Sequence, residues 1–191
     1  MIISFTGAQS TGKTTLLNLI RDKNYDFNYV DEVTRRIKRE YNLPINEGGG
    51  DITQSMIMAD HIANVYRKGD HDVTVLDRCA VDGIVYTQWL YNNGQVEKAT
   101  LDHAKLIFEM LIEEYDAIFI TSPVDVELVD DGERSTNIEF REDIQSLFDI
   151  YIGHLMVDNK DENVFVVAGT VEERMIYIQK VLAKKGLDIK I

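Results

Sequence analysis

Along this chain the apolar residues gather into five short blocks, at residues 2–6, 27–31, 72–76, 117–121 and 164–167. They are rich in Ile, Val and Phe and have the length of single strands. The stretches between them read as helices. The clearest covers residues 97–114, where Leu101, Ala104, Ile107, Phe108, Leu111 and Tyr115 form one apolar stripe. Further helices are expected from Thr15, over 33–41, over 51–67, over 81–91, over 137–156 and from Thr170. The helix at 33–41 turns Arg35, Arg36, Lys38 and Arg39 to its polar side. Asp51-Ile52-Thr53-Gln54 and Thr170-Val171-Glu172-Glu173 both have the spacing of a capping box. Residues 42–50, ending in three glycines, read as a loop.

Five strands alternating with helices predict an α/β fold, a five-stranded parallel sheet with helices on both faces in a three-layer sandwich. Right-handed crossovers place every loop that follows a strand on one edge of the sheet, where ligands of such folds bind. The whole chain, 1–191, is expected to form one domain, with a polar segment at about 124–141 as a lid.

Composition narrows the function. At 191 residues and 45% hydrophobic content, one substantial core is expected. No apolar run is long enough to cross a bilayer, and no basic leader precedes the first strand, so a cytoplasmic protein without a membrane partner is expected. The single cysteine, Cys79, excludes an internal disulfide framework and fits a reducing compartment. The net charge of −13 would repel duplex nucleic acid unless a local basic groove existed. The four histidines have no metal-ligand spacing. A homo-oligomer is compatible with all of this.

One segment brings in chemistry. Gly7-Ala8-Gln9-Ser10-Thr11-Gly12-Lys13-Thr14 reads G-x-x-x-x-G-K-T, set between the first strand and the first helix. Its glycines let the backbone N–H groups turn inward around phosphates, and the helix N-terminus that follows adds its dipole. Residues 7–15, including Thr15, are therefore expected to bind ATP. Lys13 supplies charge for the β- and γ-phosphates, and the Thr14 hydroxyl is placed for Mg²⁺.

The other strand ends supply what phosphoryl transfer needs. Asp77 ends the third strand and is read as a Mg²⁺ ligand through water, with Arg78 beside it to hold the acceptor or the moving phosphoryl group. Asp31 and Glu32 end the second strand, and either could accept the acceptor's proton. Arg134 and Arg141 bound the polar segment after the fourth strand and could neutralise charge during transfer. Gly169-Thr170, after the fifth strand, could lie against the nucleotide base. Tyr86 and Trp89 share a helical face that fits either a core pair or a platform for an acceptor ring.

Taken in order, the phosphate loop, Glu32-x-x-Arg35, Asp77-Arg78, Asp131-Gly132-x-Arg134 and Gly169-Thr170-x-x-x-Arg174 resemble the ribosylnicotinamide kinase domain of the NadR type and its relatives among small AAA-like P-loop kinases, over residues 1–183. That resemblance implies ATP-dependent, Mg²⁺-assisted phosphorylation of a nucleoside-like hydroxyl, such as that of nicotinamide riboside or a deoxynucleoside, with Arg134 and Arg141 in the lid. Nucleoside-monophosphate kinases and phage-type kinases of modified DNA bases are neighbouring readings. A regulatory ATPase without an acceptor is the reading from another class. The switch elements of GTPases are missing, and Arg78 stands where a motor ATPase would carry its catalytic Glu.

Overall fold

The computed structural model describes residues 1–67, 71–122, 137–157 and 162–191. Its sheet contains β1 (Ile2–Thr6), β2 (Asn28–Val30), β3 (Thr74–Asp77), β4 (Ala117–Thr121) and β5 (Val164–Val167), all parallel, in the order β2-β3-β1-β4-β5. The helices are α1 (Lys13–Arg21), α2 (Val33–Tyr41), α3 (Asp51–Val65), α4 (Ala80–Asn92), α5 (Lys98–Leu111), α6 (Ile138–Val157) and α7 (Val171–Lys184). Short 3₁₀ turns add Asn46–Gly48 within the expected loop and Ile112–Glu114 after α5.

Each central strand is covered on both faces, so successive side chains enter opposite cores. Ile2, Leu76, Ile118 and Val164 pack with Met58 of α3, Ile84 of α4, Ile107 of α5 and Phe148 of α6. Ile3, Phe5, Val75, Phe119 and Val167 pack with Leu16 and Ile20 of α1 and Ile178 and Leu182 of α7. Phe5 and Phe119 stack across the β1–β4 pair at 5.3 Å between centroids. The expected stripe of α5 is buried throughout. Among the described residues no helix is long and apolar enough to cross a membrane.

Strand β3 ends at Asp77, as expected, and that residue pairs in register with Phe5. Two other expectations are corrected. Helix α1 begins at Lys13, two residues early, because Gly12 in the left-handed region is its N-cap. Asp51 does not cap α3, which starts from an extended Gly50 with no side-chain cap. Its Oδ1 instead accepts from the Glu97 amide at 2.8 Å and the Thr100 hydroxyl at 2.5 Å, tying α3 to the start of α5. By contrast, the Thr170–Glu173 capping box is formed in both directions.

Candidate active site

The order of strands places β1 between β3 and β4, and the loops leaving their C-terminal ends converge there. Residues 7–12 curl tightly between β1 and α1. Gly7 adopts φ +132°, and a Cβ there would come within 2.6 Å of the Thr121 carbonyl oxygen, so β4 closes one side of the loop. Thr11 donates to, or accepts from, the Thr121 hydroxyl at 2.5 Å and donates to the Ala8 carbonyl at 2.9 Å.

Lys13 is buried, and its Nζ donates to the Gly7 and Ala8 carbonyls at 2.8 and 2.7 Å. Burial pushes its pKa down to about 7, aided by the Arg78 charge and opposed by Asp82, Asp77 and Glu32. Gln9 Nε2 and Ser10 Oγ, from side chains that are themselves buried, have no protein partner among the described residues. Buried donors normally have partners, so these two mark where a ligand's acceptor atoms would lie. Residues 9–15, Glu32, Asp77 and Arg78 line one pocket of about 140 Å³.

Opposite the loop stands a charged cluster. Arg78 has φ +77°, a costly conformation for a side-chain-bearing residue. Its amide donates to the Phe5 carbonyl at 2.9 Å, which helps hold that geometry. The guanidinium donates to Glu32 Oε1 at 2.8 Å and to Asp82 Oδ1 at 2.6 Å, and lies 5.6 Å from the Tyr86 ring centroid. Asp82 Oδ2 in turn accepts from the Thr6 hydroxyl at 2.5 Å and the Cys79 amide at 3.0 Å. Asp82 is thus fully engaged, and it fixes the orientation of Arg78.

Glu32 is the N-cap of α2 and also accepts from Arg35 Nε at 3.1 Å. Burial raises its pKa, but the neighbouring Arg78 and Arg35 charges outweigh burial and hold the carboxyl below its usual range. Asp77 has the opposite balance: burial, then repulsion by Glu32, pushes it up to about 6 despite Arg78 and Lys13. Asp31 points elsewhere. Its side chain is 84% exposed and accepts from Arg21 at 2.7 Å, and it borders only an outer cleft. The structure therefore brings Glu32, Asp77, Arg78, Lys13 and the loop together and leaves Asp31 at the rim.

Among the remaining candidates, Thr14 is exposed at the start of α1 and lines both the pocket and the outer cleft. Gly169 has φ +96° and precedes the Thr170 cap of α7. Arg141 lies in the first turn of α6. Arg134 and the expected lid up to residue 136 lie outside the described residues. Tyr86 and Trp89 both pack edge-on against Phe140, at 5.9 and 4.7 Å, and Trp89 donates to Asp143 at 3.0 Å, so this pair joins α4 to α6. Tyr86 also borders a small recess behind Arg78, together with Gln54 and His61.

Two contributors carried no assigned role in the sequence. Asp82 could have been found from its spacing: it stands three residues after Cys79, the place of the acid in a capping box. Arg174, only 3% exposed, donates to the carbonyls of Gly169 at 2.7 Å, Thr11 at 2.7 Å and Ser122 at 3.1 Å. One guanidinium thus joins the chain segments leaving β1, β4 and β5. Arg174→Met should lower stability by about 3 kcal/mol, because three main-chain acceptors lose charged donors at once. For a chain of this size the melting temperature falls by roughly 10 °C. Arg174→Lys should recover only part of that loss, since an ammonium lacks the planar fork. Thermal denaturation of the two variants checks this, and a Met variant as stable as the parent would contradict it.

The model of one protein family, described as an AAA domain, matches residues 2–174. No curated protein matches the chain. Among solved structures, a NadR protein in complex with NR is similar, with a TM-score of 0.76 at 18% identity, covering 100% of this chain and 53% of that one. A NadR protein in complex with NAD and AMP-PNP gives a TM-score of 0.71 at 15% identity, covering 100% and 51%. Deoxyadenosine kinase from M. mycoides, with dCMP and dCDP bound, gives 0.66 at 13%, covering 96% and 100%. The chain spans about half the length of the NadR chains it matches. The likeness at these identities is one of fold, that of the P-loop kinases.

Proposed function

The chain belongs to the AAA-domain family, and from that premise we propose that it is an ATP-dependent kinase acting on a hydroxyl of a nucleoside-like small molecule. The observation that carries this reading is the convergence of the phosphate loop, Glu32, Asp77 and Arg78 on one pocket. A nucleotide switch needs the loop; a buried carboxylate and guanidinium facing it suit an acceptor. The nucleoside and nucleotide ligands of the similar structures support the same acceptor class.

In this mechanism the loop amides and α1 hold the ATP phosphates, and Lys13 leaves the Gly7 and Ala8 carbonyls to reach them. Glu32 orients the acceptor hydroxyl and takes its proton as the oxygen attacks the γ-phosphorus. The bond from that phosphorus to the bridging oxygen breaks, and ADP departs. Arg78, oriented by Asp82, offsets charge on the transferred group. Thr14 and Asp77 present hard oxygen donors suited to Mg²⁺, and a cation there would relieve the burial of Asp77. Bound Mg²⁺ would neutralise phosphate charge. Arg141, in the first turn of α6, would offset phosphate charge, and Gly169-Thr170 would border the adenine.

A pH dependence follows from the two shifted groups. In the free protein Lys13 is largely neutral above about pH 7, and Asp77 is protonated below about pH 6. Binding Mg·AMP-PNP needs the lysine charged and the carboxylate ionised. Binding should therefore take up protons at pH 8 and release them at pH 5.5. Calorimetry in buffers of different ionisation enthalpy reads this directly; enthalpies independent of buffer at pH 8 would contradict it.

The acceptor class is tested with γ-labelled ATP and Mg²⁺ against nicotinamide riboside, the deoxynucleosides, nucleoside monophosphates and hydroxymethylated DNA. Label transferred to a nucleoside-type hydroxyl supports the proposal. Label released only as free phosphate in every reaction overturns it in favour of a regulatory ATPase.

A further inference from the structure

A cleft of about 720 Å³ adjoins the phosphate-loop pocket. Thr14, Glu32 and Asp77 line both, so a molecule in the cleft can present a hydroxyl at the transfer site. The cleft carries three carboxylates: Glu32 and Asp77 lie at the shared end, and Asp31, paired with Arg21, lies at the rim. Arg35, Arg36, Arg39 and Arg67 line it as well, so cations outnumber carboxylates away from the shared end. That is four of the nine arginines in a chain whose net charge is −13.

Packing does not account for this basic wall. Helix α2 buries only Val33 and Ile37. Arg36 ties α2 to α3 through Asp60, and Arg35 is engaged with Glu32. Arg39 is different: its side chain is 74% exposed and stands 3.8 Å from Glu40. A pair that open and that long contributes little. Arg39 follows Arg35 by one helical turn, about 6 Å further from Glu32 along the axis. Arg67, past the end of α3, is also exposed. Asn64, only 3% exposed, lines the same cleft, and its side-chain oxygen has no partner among the described residues.

From this juxtaposition we propose that the cleft is an anion subsite in which Arg39 and Arg67 bind a phosphate of the acceptor. The acceptor is then a nucleotide phosphorylated away from its reacting hydroxyl, either free or within a single strand. Guanidinium groups match phosphate oxygens in geometry as well as charge. Asn64 Oδ1, an acceptor, would meet a sugar hydroxyl. The surrounding acidity disfavours a long duplex but not a small phosphorylated ligand.

This inference rests on the kinase reading for the word acceptor, but its test needs no turnover. Binding of the four deoxynucleosides and their 3′-monophosphates is measured by calorimetry with Mg·AMP-PNP saturating the phosphate loop. A labelled ten-nucleotide single strand is measured by anisotropy under the same conditions. At least one 3′-monophosphate, or the strand, should bind tenfold or more tightly than the matching nucleoside, with the gain falling as salt rises. Arg39→Glu with Arg67→Glu should abolish the gain, leaving nucleoside and AMP-PNP affinity unchanged, and Arg39→Lys should retain part of it. A gain only for the strand assigns the phosphate to a polymer; a gain for the mononucleotide assigns it to a free ligand. No gain for any probe, or a gain that survives the double substitution, overturns the proposal. Failure of the kinase reading would appear separately, as absence of labelled product with this binding intact.

Discussion

Glu32→Gln should lower kcat by about 10²- to 10⁴-fold, the range for loss of a positioned general base. The amide keeps the size of the carboxylate and can still accept from Arg78, whose other partner, Asp82, remains in place. What it loses is the ability to take a proton. KM for ATP should therefore stay close to its original value, which separates a chemical defect from a binding one. Asp31→Asn is the matched control. That carboxylate is exposed and pairs with Arg21, so its loss should change kcat by no more than about twofold, in keeping with the small worth of an exposed pair. Steady-state kinetics of the two variants decide the matter. Equal rates, or a slower Asp31→Asn enzyme, would remove Glu32 from its role.

Lys13→Ala should reduce phosphoryl transfer by at least about 100-fold, because a charge aimed at developing negative charge in a water-poor site is lost. Nucleotide affinity should fall as well, since the same ammonium serves the bound phosphates. The fold should survive. Lys13 is a buried cation whose burial already drives its pKa down, so removing it relieves a desolvation cost even as the Gly7 and Ala8 carbonyls lose a donor. Circular dichroism and a melting curve near those of the parent, together with lost transfer, are the expected outcome. An active Lys13→Ala enzyme would refute phosphate binding at this loop.

Much of the site was legible before any coordinates. The phosphate loop, Glu32, Asp77 and Arg78 each sit at the C-terminal end of a strand, and strands announce themselves through apolar blocks a few residues long. Parallel pairing then brings those ends together without further information. The capping box at Thr170 was readable for the same reason: both partners lie within one turn. The capping reading of Asp51 failed because a distant partner competed. Glu97 and Thr100 offer its carboxylate two donors across α5, and no local pattern announces them.

The chain's local order by itself determined the strand–loop–helix phosphate cradle and the alternation that makes a parallel sheet, because those depend on neighbours within a few residues. Only the tertiary structure set Asp31 and Glu32 apart in space, since one step along the backbone turns one carboxylate toward Arg21 and the other toward Arg78. It also decided the strand order, the anchoring of Arg78 by Asp82 and Thr6, and the three-way grip of Arg174 on Gly169, Thr11 and Ser122. Each of those joins residues remote in the chain, and hydrogen bonds of that kind are set by how the layers close, not by any spacing a reader could count.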